Sequence, residues 1–183
     1  LPSIVKAVGD GFALSEASNS PVMLTMRIRS CHVTGSFETR DNVRPPLSVK
    51  DALSAPRSDF NRVVLPPMSY VHEQDKVKNR WPAAEKFIVE LGLNERFGPE
   101  EARVGIVCQG GMYNGVIRAL QRLGLADLYG ETQVPVYVLN VTYPLIASEF
   151  LDWAAGRTDV LVVEEGQPEF IESQLGSYLY RAG

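Results

Sequence analysis

Short apolar runs alternate with helix-like stretches along the C-terminal half of the chain. Nearly every position in the runs is apolar, as in strands that are buried on both faces of a parallel sheet. In the intervening stretches, apolar residues recur every three to four positions. The predicted strands are 104–108, 134–141 and 159–164, and the predicted helices are 113–123, 145–155 and 169–180. This alternation predicts an α/β fold of right-handed βαβ units, with three layers (α/β/α) and a mostly parallel sheet.

The N-terminal half has a different pattern. Residues 1–40 predict a helix, which a proline-containing turn ends, and then a mostly apolar strand over 21–29. Residues 41–98 begin with a segment rich in Pro, Ser, Asp and Arg, and they continue into an exposed helix predicted over 69–91. The predicted organisation is therefore a helix–strand segment, a long linker with its connecting helix, and an α/β domain over 99–183.

Composition and charge exclude several classes of function. With 45% hydrophobic and 22% charged residues, the 183-residue chain is typical of a globular protein. A net charge of −4 and a pI near 5.3 argue against binding to nucleic acid, which requires a basic surface. No apolar run approaches the roughly 20 residues that a membrane span needs. Because the chain starts at Leu1 with neither a Met nor a basic leader, we expect a cytoplasmic protein that is cut from a longer one.

Neither the cysteines nor the histidines are spaced as metal ligands. Cys31 and Cys108 lie far apart and no CxxC occurs, which predicts reduced thiols and leaves a disulfide as the alternative. His32 and His72 have no ligand-like neighbours at the required spacing. We therefore expect no zinc or iron–sulfur site within this chain.

The tripeptide Gly9-Asp10-Gly11 matches the start of the signature with which thiamine diphosphate enzymes hold Mg²⁺ and the diphosphate. That signature needs a preceding strand and a later Asn whose oxygen also binds the metal. Here the preceding residues fit a helical face, and the nearest suitable Asn, Asn42, lies in the predicted linker. Asp10 is therefore predicted to lie in a helix and to bind no cofactor.

Several segments occur together in an order that is specific to one enzyme family. The segment VGIVCQGGMYNG places Gly-Gly and Tyr-Asn directly after a strand, and a TYPL turn and a VLVVEE strand follow it. Nearer the N-terminus lie ALSEASNSPVML, RIRSCHVTG and PPMSYVHEQ. Together these segments resemble the 2-oxoacid:ferredoxin oxidoreductases, and within them the indolepyruvate ferredoxin oxidoreductase branch, over nearly the whole chain.

This resemblance implies a parent enzyme of several domains. Residues 1–40 would be the tail of its pyrimidine-binding domain, and 99–183 its transketolase C-terminal-like domain. The parent would oxidatively decarboxylate an aryl 2-oxoacid to its acyl-CoA and pass electrons to ferredoxin. Its cofactors would be thiamine diphosphate, Mg²⁺ and iron–sulfur clusters, none held by this chain. We therefore expect a non-catalytic structural or interface portion whose partners are other domains or subunits of the enzyme, with the number of copies, a homo-oligomer included, left open.

The first candidate site is a strand-to-helix turn that contains Gly110, Gly111, Tyr113 and Asn114. Free N–H groups at the start of a helix can bind an anion, such as a phosphate of CoA. The spacing departs from G-x-G-x-x-G, which argues against a dinucleotide. We favour a tight turn without a ligand. The alternative function is a stand-alone α/β binding or regulatory module that recognises a small anion at Gly110-Gly111.

The second candidate site is the acidic pair Glu164 and Glu165, at the carboxyl end of a predicted strand. Paired carboxylates at this end of a sheet can act as acid and base. Glu169 and Glu172 follow, where they can charge the N-terminal turn of the next helix. Because no His or nucleophile lies nearby in sequence, we favour a helix-capping or interface role.

Arg29, Cys31 and His32 bring a basic group, a thiol and an imidazole together in sequence. On the predicted strand, Arg29 and Cys31 would share one face and His32 would lie on the other, which separates a Cys–His nucleophile pair. A structural or domain-interface role is favoured. The alternative is that Arg29 contacts the substrate carboxylate in the intact enzyme.

Overall fold

The N-terminal half is helical in a computed structural model that describes residues 2–44, 48–55, 63–166 and 168–183. Its helices are α1 (Pro2–Ser18), α2 (Val49–Ser54), α3 (Met68–Asp75) and α4 (Trp81–Glu90), and a π-helical turn, Lys76–Arg80, joins α3 to α4. The predicted first helix and the predicted connecting helix are thus confirmed. Among the described residues, no helix is both long enough and apolar enough to cross a membrane.

The strand predicted over residues 21–29 is wrong. Residues 21–27 adopt neither helix nor strand, and a 3₁₀ turn, Ile28–His32, follows them. Arg27 has extended backbone angles, φ −69° and ψ 147°, but a strand also needs a neighbour for its N–H and C=O groups. In the part of the chain that the structure describes, all the paired strands of the sheet lie after residue 94. Within the described ranges, the apolar run pairs with no strand, and the face assignment of Arg29, Cys31 and His32 does not hold.

A four-stranded sheet forms the centre of the C-terminal unit, Ala84–Gly183, which is distinct from the N-terminal unit, Leu1–Ala83. The strands are β1 (Glu95–Phe97), β2 (Val104–Gln109), β3 (Val136–Leu139) and β4 (Asp159–Val163). Their order is β1-β3-β2-β4, with β2 parallel to β3 and β4 and with β1 antiparallel to β3. The mostly parallel sheet is confirmed. The sequence does not predict β1, because its three residues, ERF, carry no apolar run.

Helices pack on both faces of this sheet. They are α5 (Tyr113–Arg122), α6 (Ala147–Ala154) and α7 (Phe170–Ala182). Because side chains alternate along a strand, Ile106 and Cys108 of β2 pack with α5 on one face. Val107 packs with α6 and α7 on the other. The α/β/α arrangement is therefore confirmed, and β2 and β3 are almost wholly apolar because both of their faces are buried.

Candidate functional site

The carboxyl ends of β2, β3 and β4 meet at one edge of the sheet, where open α/β sheets usually bind ligands. The chain leaves β2 toward α5 on one face, and it leaves β3 and β4 toward α6 and α7 on the other. The connections thus diverge on both sides of β2, and a crevice is expected on each side. The structure brings the predicted residues of both candidate sites to this edge: Gly110, Gly111, Tyr113, Asn114, Glu164 and Glu165.

Asn140, directly after β3, lies close to Gly110 at the end of β2. A Cβ atom added at Gly110 would lie only 2.5 Å from Asn140 Oδ1, so glycine is what allows this close approach. Asn140 Nδ2 donates to the Leu93 carbonyl at 2.9 Å and to Glu95 Oε2 at 2.7 Å. The first glycine of the turn thus serves a contact within the protein, which supports the favoured interpretation of a turn without a ligand.

A hydrogen bond also bridges the crevice between β2 and β4. The N–H of Glu165 donates to Gln109 Oε1 at 2.8 Å, which joins the ends of the two strands. The Gln109 side chain therefore lies where a ligand bound beside β2 would have to enter. Together with the Asn140 contact, this bridge places protein side chains in both of the expected crevices.

Glu164 turns away from the crevice and caps helix α7. Its carboxylate accepts the N–H of Ile171 at 3.0 Å and the N–H of Glu172 at 3.2 Å. A negative charge at this position also complements the positive end of the helix dipole. Glu169, at the N-cap position itself, makes no side-chain capping bond. The Glu164 carboxylate therefore caps α7 from the end of β4. These contacts do not join it to Glu165 as an acid–base pair.

Tyr113 begins helix α5 and packs against strand β1. Its ring centroid lies 5.0 Å from that of Phe97. Burial raises the pKa of the Tyr113 hydroxyl, and the negative charge of Glu95 raises it further. Gly111 lies in the short 3₁₀ turn before the helix, and Asn114 is exposed in the first helical turn. Tyr113 is thus a neutral packing residue, and Asn114 is the more accessible polar group of the pair.

Cys31 and His32 lie in the N-terminal unit, in the 3₁₀ turn Ile28–His32, and both are exposed. The Cys31 thiol is 3.8 Å from the carbonyl oxygen of Arg27, a weak contact within the same turn. The side chain of Arg29 lies outside the described residues. The described contact of Cys31 is therefore a local one.

The Gly9-Asp10-Gly11 tripeptide lies within helix α1, as predicted. Asp10 Oδ2 pairs with Lys6 Nζ at 2.7 Å, one helical turn away. A helical carboxylate paired with lysine does not fit a strand–turn site for Mg²⁺ and diphosphate, so no catalytic step is assigned to it. Over the described ranges, no group of three or more His, Cys, Asp or Glu side chains could hold a metal ion.

A buried polar network, which the sequence does not predict, joins β3 to α6. The Tyr137 hydroxyl and Asn94 Nδ2 both donate to Glu149 Oε2, each at 2.9 Å. Asn94 Oδ1 accepts the N–H of Val141 at 3.0 Å. Burial raises the pKa of Tyr137 strongly, and the charge of Glu149 adds to the effect. The network cannot be predicted from local sequence, because Asn94 and Glu149 are 55 positions apart and Tyr137 lies within an apolar run.

Arg96 extends this network to the surface. Its Nη1 donates to Asp152 Oδ2 and its Nη2 to the Glu149 carbonyl, both at 2.8 Å. Its guanidinium also lies 5.8 Å from the centre of the Tyr137 ring. Because Tyr137 is only 1% exposed, a substrate cannot reach its hydroxyl. The network therefore holds β1, β3 and α6 together.

The thiol of Cys108 is also unsuited to nucleophilic chemistry. It lies on β2, is 1% exposed, and burial raises its pKa to about 11. The thiolate, which is the reactive form, is therefore scarce at neutral pH. Cys108 acts as a small apolar residue in the layer between the sheet and α5.

Comparison with known proteins identifies a family for most of the C-terminal unit. Residues 94–182 match the indolepyruvate oxidoreductase domain family. Over 90% of the chain, the sequence is 32% identical to the indolepyruvate oxidoreductase subunit IorA of Methanothermobacter thermautotrophicus. It is also 32% identical, over 88% of the chain, to the IorA subunit of Methanothermobacter marburgensis. No solved structure matches the chain.

The similarity covers the N-terminal unit as well as the sheet domain. A match to the IorA subunit of Pyrococcus abyssi spans 100% of the chain at 28% identity. The chain covers 25%, 24% and 28% of these three relatives, in the order given, and so spans about a quarter of their length. The resemblance to the indolepyruvate branch is thereby confirmed.

Proposed function

Because the C-terminal half of this chain belongs to the indolepyruvate oxidoreductase domain family, we propose that the chain is a portion of an enzyme that oxidises indolepyruvate or a related aryl 2-oxoacid. The reaction would decarboxylate the 2-oxoacid to an acyl-CoA and deliver electrons to ferredoxin. The observation that carries this proposal is the continuous similarity to IorA subunits, which runs through both units of the chain.

Within that enzyme, the chain would have a structural and interface role. Three contacts at the carboxyl edge support this role: Asn140 against Gly110, Gln109 with the Glu165 backbone, and Glu164 on α7. They use the polar side chains of the edge to hold strands and helices together. Thiamine diphosphate, Mg²⁺ and iron–sulfur clusters would bind to other segments of the enzyme and supply its carbanion and electron-transfer chemistry.

The activity is tested on the full-length gene product, produced together with its partner subunit. Reduction of ferredoxin is followed with indolepyruvate and CoA, and pyruvate serves as the comparison substrate. We expect turnover of indolepyruvate that depends on CoA and exceeds the turnover of pyruvate. An assembled, cluster-containing enzyme that does not turn over indolepyruvate would overturn the proposal.

The structural role is tested in the same enzyme by removing polar groups at the carboxyl edge. Tyr113→Phe and Asn114→Ala should leave kcat and KM within about twofold, whereas loss of a true acid–base group lowers the rate by roughly 10²–10⁴-fold. Tyr129→Phe is the matched control for the first variant, because Tyr129 is 95% exposed on a turn. A fall in kcat of a hundredfold in either edge variant, with assembly unchanged, would contradict the structural role.

Ligand binding separates this role from the alternative of an anion-binding module. The 183-residue chain is titrated by calorimetry with thiamine diphosphate plus Mg²⁺, with CoA, and with inorganic phosphate. We expect no saturable heat in any titration. Saturable binding of CoA or phosphate that Gly111→Ala weakens would favour the anion-binding module, and tight binding of thiamine diphosphate would place cofactor chemistry in this chain.

A further inference from the structure

Strand β4 is an open edge of the sheet. In the described part of the chain its sole strand neighbour is β2, and its sequence, DVLVV, has no Lys, Pro or Gly, residues that natural edges use to prevent pairing. Leu161, at its centre, is 58% exposed, and Val104 on the adjoining strand is 50% exposed. The opposite edge, β1, is only three residues long and carries Arg96. The β4 edge therefore has the properties of a template for another strand.

The backbone hydrogen bonds show which groups of β4 face away from the sheet. The Thr158 and Asp159 N–H groups both donate to the Arg103 carbonyl on the β2 side, at 2.8 Å and 3.2 Å, and the Ile106 N–H opposite Leu161 donates to Pro135, away from β4. Because N–H and C=O groups point alternately to the two sides along a strand, those of Leu161 also face β2. Those of Val160 and Val162 then face outward. A strand that pairs with β4 has to place its own outward-facing N–H and C=O groups opposite those of Val160 and Val162.

We propose that β4 pairs antiparallel with β4 of a second copy of this chain, across a twofold axis at Leu161. A twofold contact is self-complementary, so residues equally distant from the axis face each other. Val160 of each copy then lies opposite Val162 of the other, and each pair exchanges both of its N–H···O=C bonds. Leu161 meets Leu161 of the second copy in a non-hydrogen-bonded pair, where side chains approach most closely, and the pair covers their exposed surface.

The charges that flank β4 select this axis. With the axis at Leu161, Arg157 of each copy lies at the end of the pairing where Glu165 of the other lies. An axis at Val162 would instead place Asp159 opposite Glu165, and like charges that face each other across strands are destabilising. An axis at Val160 would no longer place Arg157 of one copy opposite Glu165 of the other.

The contacts of Arg157 are consistent with this assignment. Its Nη2 donates to the Glu100 carbonyl at 2.9 Å and its Nη1 to the Trp153 carbonyl, and its guanidinium stacks 4.3 Å from the Trp153 ring. These partners hold the guanidinium in place at the start of β4, but none of them carries a negative charge. The carboxylate of a second copy would supply that charge.

A symmetric disulfide tests the pairing and its axis at the same time. Leu161→Cys is made in a Cys31→Ser background, since Cys31 is the exposed native thiol and Cys108 is buried. Cα atoms about 4.4–6.8 Å apart can form a disulfide, and residues paired across two strands meet this condition. We expect mild oxidation to give a cross-linked dimer of the Leu161→Cys variant. The matched control is Leu128→Cys, at a position 86% exposed on a turn outside the sheet, which should stay uncross-linked.

A second measurement keeps the proposal testable without a cysteine. Sedimentation equilibrium of the full chain over about 1 to 100 µM should show a monomer–dimer equilibrium, a range that spans micromolar dissociation constants. Leu161→Lys should weaken dimerisation at least tenfold, and Leu128→Lys should leave it unchanged. Circular dichroism confirms that both variants are folded.

Three results would overturn the pairing. They are a chain that stays monomeric throughout the concentration range, a dimer that Leu161→Lys does not weaken, and cross-linking at position 128 as fast as at 161. The same cross-link is measured in the full-length gene product, where its absence would mean that another segment covers β4. None of these measurements depends on substrate turnover, so the pairing and the proposed activity can fail independently.

Discussion

The hydroxyl of Tyr137 donates a 2.9 Å hydrogen bond to Glu149 Oε2 in the interior of the C-terminal unit. Asn94 donates to the same oxygen, so one carboxylate satisfies two donors that come from different parts of the chain. Tyr137 is 1% exposed and Asn94 is 8% exposed. Removing the acceptor would leave the Tyr137 O–H without a partner and Asn94 Nδ2 with only its 3.4 Å contact to the Tyr137 hydroxyl oxygen, which costs more than removing one donor.

Glu149→Ala is expected to lower the free energy of unfolding by about 2–3 kcal/mol, because the Tyr137 O–H then lies unpaired and Asn94 keeps only a long contact to the tyrosine oxygen. Tyr137→Phe should cost only about 1 kcal/mol, because Asn94 still satisfies the carboxylate. Urea denaturation of each variant gives both values. The control is Asp152→Ala, whose carboxylate is 74% exposed in its ion pair with Arg96 and should change stability by less than about 1 kcal/mol. If Glu149→Ala and Asp152→Ala lower the free energy of unfolding equally, Glu149 is not the central acceptor of the network.

Glu164 is expected to matter for stability through helix α7. Glu164→Ala removes the oxygens that accept from Ile171 and Glu172, and it should cost about 0.5–2 kcal/mol, the usual range for a lost cap. Glu164→Gln keeps an acceptor and loses only the charge, so it should cost about 0.5 kcal/mol. Glu172→Gln, in the first turn of the same helix, is the control for charge alone. If Glu164→Ala is no worse than this control in thermal unfolding, the capping role is wrong.

The sequence predicts the helices and parallel strands well because their apolar patterns are long and regular. Helix α5 and strand β2 agree with the structure to within a residue at each end. The predictions that differ from the structure concern strands, because a strand forms only beside a neighbouring strand. Among the described residues, the apolar run over 21–29 pairs with no strand, and only its end enters a 3₁₀ turn. Glu95–Phe97 has little apolar character but forms a strand because it lies beside β3.

The candidate site could be placed from sequence, but its contacts could not. A βαβ pattern puts Gly110 and Glu164 at the carboxyl edge, because parallel strands end together there. Which atoms they meet depends on residues distant in sequence. Asn140 lies beside Gly110 because the crossover through α5 places β3 next to β2, and Glu164 meets Ile171 because α7 packs back on the sheet.

Gly110→Ala is expected to destabilise the protein through Asn140. The new Cβ would lie 2.5 Å from Asn140 Oδ1, so the amide has to turn away from Leu93 and Glu95. We expect a cost of about 0.5–1.5 kcal/mol, because the exposed Asn140 side chain can move but loses its two hydrogen bonds. Adding Asn140→Ala to Gly110→Ala should cost less than the sum of the two single changes, because the clash disappears together with the side chain.

The control for this substitution lies in the following helix. Gly115 is in α5 with no atom within 4 Å of an added Cβ, so Gly115→Ala should raise stability by about 0.5–1 kcal/mol. Both variants are compared by denaturant unfolding. Should both glycine substitutions stabilise the protein, Gly110 would not be required by Asn140.

The two cysteines are expected to react at very different rates. Cys31 is exposed, whereas Cys108 is buried with a pKa raised to about 11, and only a thiolate attacks a disulfide reagent. At pH 8 an aromatic disulfide reagent should therefore label Cys31 quickly in the native protein and Cys108 only after unfolding. The Cys31→Ser variant should show no fast phase. Fast labelling of Cys108 in that variant would contradict its burial.

The raised pKa of Cys108 also predicts how stability depends on pH. Below about pH 8 the thiol is protonated in both states, so its contribution is constant. Above that pH the unfolded chain releases the proton first, so the free energy of unfolding falls until the folded thiol also ionises near pH 11. Cys108→Ala lacks this group, and the stability difference between wild type and variant should therefore narrow between pH 9 and 11. A difference that stays constant over this range in urea unfolding would mean that the Cys108 thiolate is equally tolerated in the folded and unfolded states.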